Sequence, residues 1–246
     1  VKGNWSNSGT FTPGAGTVNF NKSGTQSVGG SSTTTFNTVT VASGSVLAIA
    51  AVNANASQLA LNSVNQTLGT WGATSSGAAH INNTFFSGTS GTLNVTRTAT
   101  AIGSNTSTSS GTTITVSVPA EGVAVNNTVI VTVAMDPNAG TVTVTDARGN
   151  TYTKDKDITN GSGTAGVRTL VFSAPVGTAL VSADLITVTF GTATVGKAVS
   201  ASYFGGLVTA TPVDKTASST TGSPSTTPSS GSTATTTQPD ELVIGA

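Results

Sequence analysis

Valine occupies every second position at Val129, Val131 and Val133, and again at Val142 and Val144. This alternation constrains the fold more than any other feature of the chain. It lies within Asn127-Thr-Val-Ile-Val-Thr-Val-Ala-Met-Asp-Pro-Asn-Ala-Gly-Thr-Val-Thr-Val-Thr-Asp-Ala-Arg-Gly-Asn-Thr-Tyr-Thr153. Successive side chains of a strand point to opposite faces, so a period of two gives each of two strands one apolar face. Asp136-Pro137-Asn138-Ala139-Gly140 reads as a turn, because Asp bonds its own backbone, Pro pre-sets φ and Gly admits positive φ. Arg148-Gly149-Asn150 supplies a second turn. The stretch is expected to form a three-strand antiparallel meander whose valine face another sheet must cover.

Composition extends that expectation to the whole chain. Charged residues make up 7% of it, against roughly 25% in ordinary soluble domains. Ser and Thr together number 80 and Gly 29, so hydroxyls cover the surface in place of charge. Thr favours strands while Gly, Ser and Asn punctuate them, which predicts an all-β protein. Without cysteine there are no disulfides, thiolate catalysis or cysteine metal sites. A nearly uncharged, thiol-free, hydroxyl-rich chain is expected to be secreted or displayed on a cell surface. It begins at Val1 with no signal-like segment, which reads as a processed chain or a fragment. No apolar run approaches the roughly 20 residues of a membrane-spanning helix.

The 246 residues divide by charge. All nine acids lie at Glu121 or later, whereas Lys2, Lys22 and Arg97 are the only charges before it. Three bases over that length make no basic patch, which excludes nucleic acid as a partner. The shift predicts two modules. Residues 1–100 form a Gly/Thr/Asn-rich β-repeat module, a β-meander or a β-solenoid-like stack, with Phe11, Val18, Phe20, Val28, Phe36, Val39 and Val41 as apolar teeth. Ser45 to Leu61 is alanine-rich enough for a helix, but Gly44 and the alternation at Leu59 and Leu61 favour two strands. Residues 101–112, Ala-Ile-Gly-Ser-Asn-Thr-Ser-Thr-Ser-Ser-Gly-Thr, read as a linker.

Residues 113–246 then read as an antiparallel β-sandwich. Strands are expected around Ile114 to Val118, over the three-strand stretch above, and at Val167 to Ser173, Leu185 to Phe190 and Lys197 to Phe204. Residues 216–239 form a Ser/Thr/Pro-rich excursion. Residues 240–246, Asp-Glu-Leu-Val-Ile-Gly-Ala, resume as an eighth strand. A strand needs a partner on at least one edge, so this one either returns to its own sandwich or pairs with another copy.

Thr128 to Thr153, Gly161 to Pro175 and Thr226 to Ala246 resemble a jelly-roll-type module of large secreted bacterial surface proteins. Gly3-Asn-Trp-Ser-Asn-Ser-Gly-Thr-Phe-Thr-Pro-Gly-Ala-Gly-Thr-Val-Asn-Phe20 is similar to the β-strand repeats of bacterial adhesin-like and fibre proteins. The resemblance implies architecture more than activity. Such modules continue beyond a Glu-Leu-Val-Ile-Gly-Ala strand, so the sandwich is expected to be incomplete within this chain.

Chemistry-bearing residues are sparse. His80, the single histidine, has no carboxylate in its module to orient it as a triad base. Asp155 and Asp157 share a strand face but alternate with Lys154 and Lys156, which reads as a self-neutralising edge, with calcium as the alternative ligand. Trp5 and Trp71 are core residues or, alternatively, sugar-stacking platforms. Lys197 on its apolar strand is a candidate for a Lys–Asn isopeptide bond. Nine Asn-x-Ser/Thr sequons occur, at Asn4, Asn21, Asn55, Asn65, Asn82, Asn94, Asn105, Asn126 and Asn160, close to what this composition gives by chance.

These features predict a non-enzymatic subunit or segment of an extracellular bacterial filament. It would need no cofactor, and Leu242, Val243 and Ile244 would be the strand donated between copies. A polysaccharide-binding surface module is the alternative.

Overall fold

The computed structural model describes residues 1–14, 16–50, 52–88, 90–96, 99–208, 210–220, 227, 229–237 and 241–246, with the backbone alone for Thr164. The chain divides into two compact units, Val1–Thr98 and Ala99–Ala246. Both are made of strands and turns, with two short 3₁₀ turns, so the chain is all-β.

The first unit contains β1 (Trp5–Ser6), β2 (Thr17–Phe20), β3 (Gly24–Gly29), β4 (Thr35–Val41), β5 (Ser45–Ile49) and β6 (Ala54–Leu61). After these come β7 (Val64–Asn65), β8 (Gly69–Gly72), β9 (His80–Ile81) and β10 (Leu93–Val95). The first six strands alternate between two sheets, and the last four join the second: β1-β3-β5 in one, β2-β4-β6-β10-β8-β9 in the other, with β7 on β6. Along β2-β4-β6-β10 every pairing is parallel, as it is along β1-β3-β5. A meander would make these neighbours antiparallel, so that expectation is overturned for this part of the chain. Val18 pairs with Val39 and Val39 with Leu59, so equivalent positions recur after 21 and 20 residues.

What repeats is the buried set. Phe20, Phe36, Val39, Leu47, Ile49, Leu59 and Leu93 are sealed in one core. The buried parity flips between Phe36 and Val39, and in register with it between Ala56 and Leu59, so one corner stacks on another. Gly91 must be glycine, since a Cβ there would lie 1.8 Å from Ala50 O. The buried polar side chains of the stack are neutral; among the described residues the Thr40 and Ser45 hydroxyls have no hydrogen-bond partner, whereas the amide of Gln26 is satisfied. Gln26 is fully buried; its Nε2 donates to Gly3 O (2.7 Å) and Val1 O (3.1 Å) while its Oε1 accepts from Lys22 N (3.0 Å).

The second unit holds β11 (Thr100–Ser107), β12 (Gly111–Ser117), β13 (Asn127–Met135), β14 (Val142–Asp146), β15 (Thr153–Asn160), β16 (Val167–Pro175), β17 (Leu185–Thr194) and β18 (Lys197–Gly205). All pairings are antiparallel. The strands form a five-stranded sheet, β11-β18-β13-β16-β15, and a three-stranded sheet, β12-β17-β14. Residues of both sheets join one core, including Val131, Leu170, Phe172, Ile186, Val188 and Phe190. Burying each of these side chains contributes about 1.5–3 kcal/mol. On the outer face of the smaller sheet threonines stand in rows, Thr113–Thr189–Thr143 and Thr115–Thr187–Thr145. Cross-strand pairs of this kind contribute roughly 0.2–1 kcal/mol each and do so without charge.

Four expectations change here. The stretch 127–153 is not a meander: β13 lies in the larger sheet, β14 in the smaller, and β15 at the larger sheet's edge. The valines of β13 and β14 therefore do not share a sheet face but belong to one core drawn from both sheets. The linker expected at 101–112 is β11 and the turn into β12. β11 pairs along β18, so the eighth strand comes from before the sandwich and not from residues 240–246. Among the described residues beyond Gly205 there is no strand, and Glu241–Ala246 belong to no sheet. Asp240 and residues 221–226, 228, 238 and 239 of the excursion lie outside the described residues.

Candidate functional site: side-chain clusters, sheet edges and the C-terminal segment

The candidate catalytic and sugar-binding residues of the first unit serve its packing. The His80 ring stacks on Trp71, centroids 4.6 Å apart and planes 19° apart, and its Nε2 lies 2.9 Å from Leu68 O. Trp71 is only 8% exposed, and its indole donates to Thr67 O (2.9 Å), which closes it to a sugar ring. Trp5 is half-buried, edge-on to Phe11 (4.9 Å) and Phe36 (5.1 Å), with its indole nitrogen bonded to Thr34 Oγ1.

In the second unit the charged residues hold turns and strands in place. Arg168 on β16 is buried. Its Nε and Nη2 grip both oxygens of Asp157 on β15 (2.8 and 2.7 Å), and its Nη1 donates to Asn138 O and Gly140 O. One guanidinium thereby ties β15 and β16 to the Asp136–Gly140 turn between the sheets. Lys154 Nζ also reaches Asp157 (2.7 Å). The Arg168 bond holds the Asp157 carboxyl down at about 2 against some opposing burial, and Lys154 adds to it. Burial pushes Asp155 upward instead. With both oxygens of Asp157 engaged by cations, the pair offers calcium little. Among the described residues no three metal-binding side chains gather anywhere.

Lys197 is buried, and its Nζ donates to Ser109 O (2.6 Å) and Thr194 O (2.9 Å). Those carbonyls belong to the β11–β12 turn and to the last residue of β17. The ammonium thus staples two hairpin ends; its bonds go to main-chain carbonyls, where an isopeptide bond would need an Asn side chain. At the adjoining turn Asp136 accepts from Gly196 N (2.7 Å), and a Cβ at residue 196 would meet Asp136 Oδ1 at 2.7 Å.

The second turn of the valine stretch is built on Asp146. Its carboxylate accepts from Arg148 N, Asn150 N, Asn150 Nδ2 and Tyr152 Oη. Burial, with Asp146 beside it, holds the Tyr152 phenol well above its ordinary range. Asn150 Oδ1 in turn accepts from Gly177 N and Thr178 N. Neither this hub nor the reach of Arg168 was singled out from sequence; the spacing Asp146-x-Arg-Gly-Asn-x-Tyr152 is the one sequence signal that points to the hub.

The sandwich has four strand edges, and they differ. On β12 the backbone groups of Thr113, Thr115 and Ser117 face outward, because Val118 N bonds Asp184 O across to β17 and ladder bonds alternate. Asn105 of β11 caps that edge, donating to Thr115 O (2.8 Å). β11 carries a bulge between Ala101 and Gly103. β15 carries a bulge between Lys154 and Lys156, with both lysines on the edge. Bulges and lysines are the ordinary guards of exposed edges.

β14 has neither. Gly191 N bonds Thr141 O (2.7 Å) and Ala147 N bonds Leu185 O (3.1 Å), so Thr143 and Thr145 complete the ladder to β17.

The Ser/Thr/Pro-rich excursion is closed at its base. Asp214 accepts from Thr237 N (2.7 Å) and Thr237 Oγ1 (2.8 Å) and pairs with Lys215. Beyond that clamp Leu242 is half-buried, while Val243 is 87% and Ile244 37% exposed. No helix among the described residues is long and apolar enough to cross a membrane. No family model, curated protein or solved structure matches the chain.

Proposed function

We propose that the chain is a non-enzymatic structural module of an extracellular bacterial fibre or surface protein, associating copy to copy by strand addition. The observation that carries this reading is Glu241–Ala246: an apolar Leu-Val-Ile segment outside every sheet, with Val243 fully presented to solvent. Exposed, β-prone, uncharged triplets associate with open sheet edges, where backbone bonds supply affinity and alternate side chains supply specificity. A donor and an acceptor on different surfaces of one chain make a heterologous contact, which propagates into a filament.

The architecture supports a mechanical role. We read the order β11-β18-β13-β16 over β12-β17-β14 as jelly-roll-like, with β15 on the edge of the larger sheet. Parallel strands recurring every 20 or 21 residues read as a short β-solenoid. The charged clusters described above each brace a turn or a strand pair. The hydroxyl-covered, thiol-free composition fits a secreted or cell-surface setting.

Deleting residues 241–246 tests the reading. The truncated chain should keep its circular dichroism and thermal transition but lose self-association in light scattering and electron micrographs. Filaments or oligomers unchanged by the deletion would refute strand addition through Leu242, Val243 and Ile244. The polysaccharide alternative rests on Trp5 alone, since Trp71 is closed to a sugar ring, and retention on polysaccharide columns that Trp5→Ala abolishes would favour it.

A further inference from the structure

We propose that Ser229, Ser230, Ser232, Thr233 and Thr235 are acceptors for O-linked sugar. The proposal rests on the cell-surface setting and not on strand addition. From Thr216 to Pro239 the sequence holds seven Ser and nine Thr but no charged or aromatic residue and no Val, Leu, Ile or Met. The tract therefore has no large apolar side chain whose burial could repay the entropy of ordering it. Pro224, Pro228 and Pro239 lack the N–H that a sheet ladder uses. Hydroxyl-rich sequence broken by proline is the composition of stalks that carry O-linked sugar.

The structure separates these hydroxyls from the many others. Residues 229–237 belong to no strand, and every one of them is exposed. Ser230 Oγ donates to Gly231 O (3.2 Å) and Ser229 Oγ accepts from Gly231 N (3.1 Å), local bonds that opening one turn would break. Thr143 and Thr189 are exposed too, but they pair with each other in the β14–β17 ladder. A transferase must draw several acceptor residues into its active site, which a loop permits and a strand within a sheet does not. Asp214 sets the limit of the run, because its carboxylate holds both the amide and the hydroxyl of Thr237. In the transfer, each acceptor Oγ attacks the anomeric carbon of a sugar activated on a nucleotide or lipid phosphate. A C–O bond forms, the glycosyl–phosphate bond breaks with its electron pair leaving on phosphate, and the hydroxyl proton passes to a base of the transferase. Sugar there would hydrate a tract without charge and shield it from proteases.

The sequence makes the test clean. Trypsin cleavage after Lys215 releases residues 216–246 as one peptide, which contains no Lys, Arg or Asn. Any sugar on it is therefore O-linked, whatever happens at the Asn-x-Ser/Thr sequons elsewhere. From protein isolated from its own cells, this peptide should be heavier by whole sugar residues than the same peptide made by cell-free synthesis. Fragmentation in the mass spectrometer should place sugar on residues 229–235 and spare Thr237. Replacing the five acceptors together by Ala should remove that sugar and leave the circular dichroism unchanged, since all five are exposed and outside the sheets. A peptide at its unmodified mass, a shift unchanged by the five replacements, or sugar spread equally over Thr143 and Thr189 overturns the proposal. The cell fraction tells that failure from failure of the setting. An unmodified chain on the surface or in the medium sinks the modification alone; an unmodified chain confined to the cytoplasm sinks the setting with it.

Discussion

The two units draw on one Ser/Thr-rich composition and solve the problem of buried polar groups in opposite ways. The first stacks parallel strands and buries neutral amides, with Gln26 and Gln58 bonded within the stack. Its sequence contains no acid at all. The second pairs antiparallel strands in two sheets and buries charge, Arg168 and Lys197, where the chain passes between sheets or turns. A stack repeats one environment every 20 or 21 residues, so neutral side chains meet partners brought alongside from about one repeat away, Gly3 O for Gln26 and Thr38 for Gln58. A sandwich must fix irregular connections such as Asp136–Gly140, and a long charged side chain spans them with several strong bonds. The lesson is that the few charges of a nearly uncharged protein are spent on topology.

The probes for breaking this comparison are intrinsic. Both tryptophans, Trp5 and Trp71, lie in the first unit, and both tyrosines, Tyr152 and Tyr203, in the second. The largest effect is expected from Phe36→Ala, which empties the centre of the stack's core. It should cost about 3–5 kcal/mol and move the tryptophan transition more than the tyrosine one. Next is Arg168→Ala, which strips Asp157 of its main partner and two turn carbonyls of their donor. It should cost about 2–3 kcal/mol, read in the tyrosine signal. Lys197→Met keeps the aliphatic stem but leaves Ser109 O and Thr194 O unbonded, for a loss of about 1–2 kcal/mol in the same signal.

Acid gives the smallest and most selective effect. Asp157 is held at about 2 in the fold, below the roughly 3.9 of an unfolded aspartate. Its contribution is therefore complete above pH ~4 and lost as pH falls toward 2, for about 1 kcal/mol after solvent screening. Asp155, raised by burial, acts with the opposite sign and offsets part of the loss. The tyrosine transition should fall over that window and the tryptophan transition should stay flat, since the first unit has no carboxylate side chain. Asp157→Asn should make the tyrosine profile shallower, with Asp184 and Asp214, held low by Arg148 and Lys215, supplying what slope remains; equal acid sensitivity in both units would break the comparison.

Much of the fold was legible because alternation reports faces. Val129, Val131, Val133, Ile186 and Val188 all enter the core that their spacing indicated. Alternation does not say which sheet a strand joins, and that is why β13, β14 and β15 read as a meander. β11 escaped because an edge strand with one core residue, Ile102, and a bulge after Ala101 is compositionally a linker. In the stack, the parity flip at Phe36 to Val39 and the insertion between β6 and β10 hide the repeat. The role of Arg168 was illegible, since its partners lie 11 to 30 residues away on separate elements. Leu242, Val243 and Ile244 carry a strand's pattern, but pattern alone does not supply the neighbouring edge.

Analytical ultracentrifugation of the full-length chain beside the chain lacking residues 241–246 tests the central claim most directly, because Glu241–Ala246 lie outside every sheet. The full-length chain should sediment as a series of assemblies, and the shortened chain should sediment as a monomer at the same concentration. Equal sedimentation of the two chains would contradict strand addition through residues 241–246.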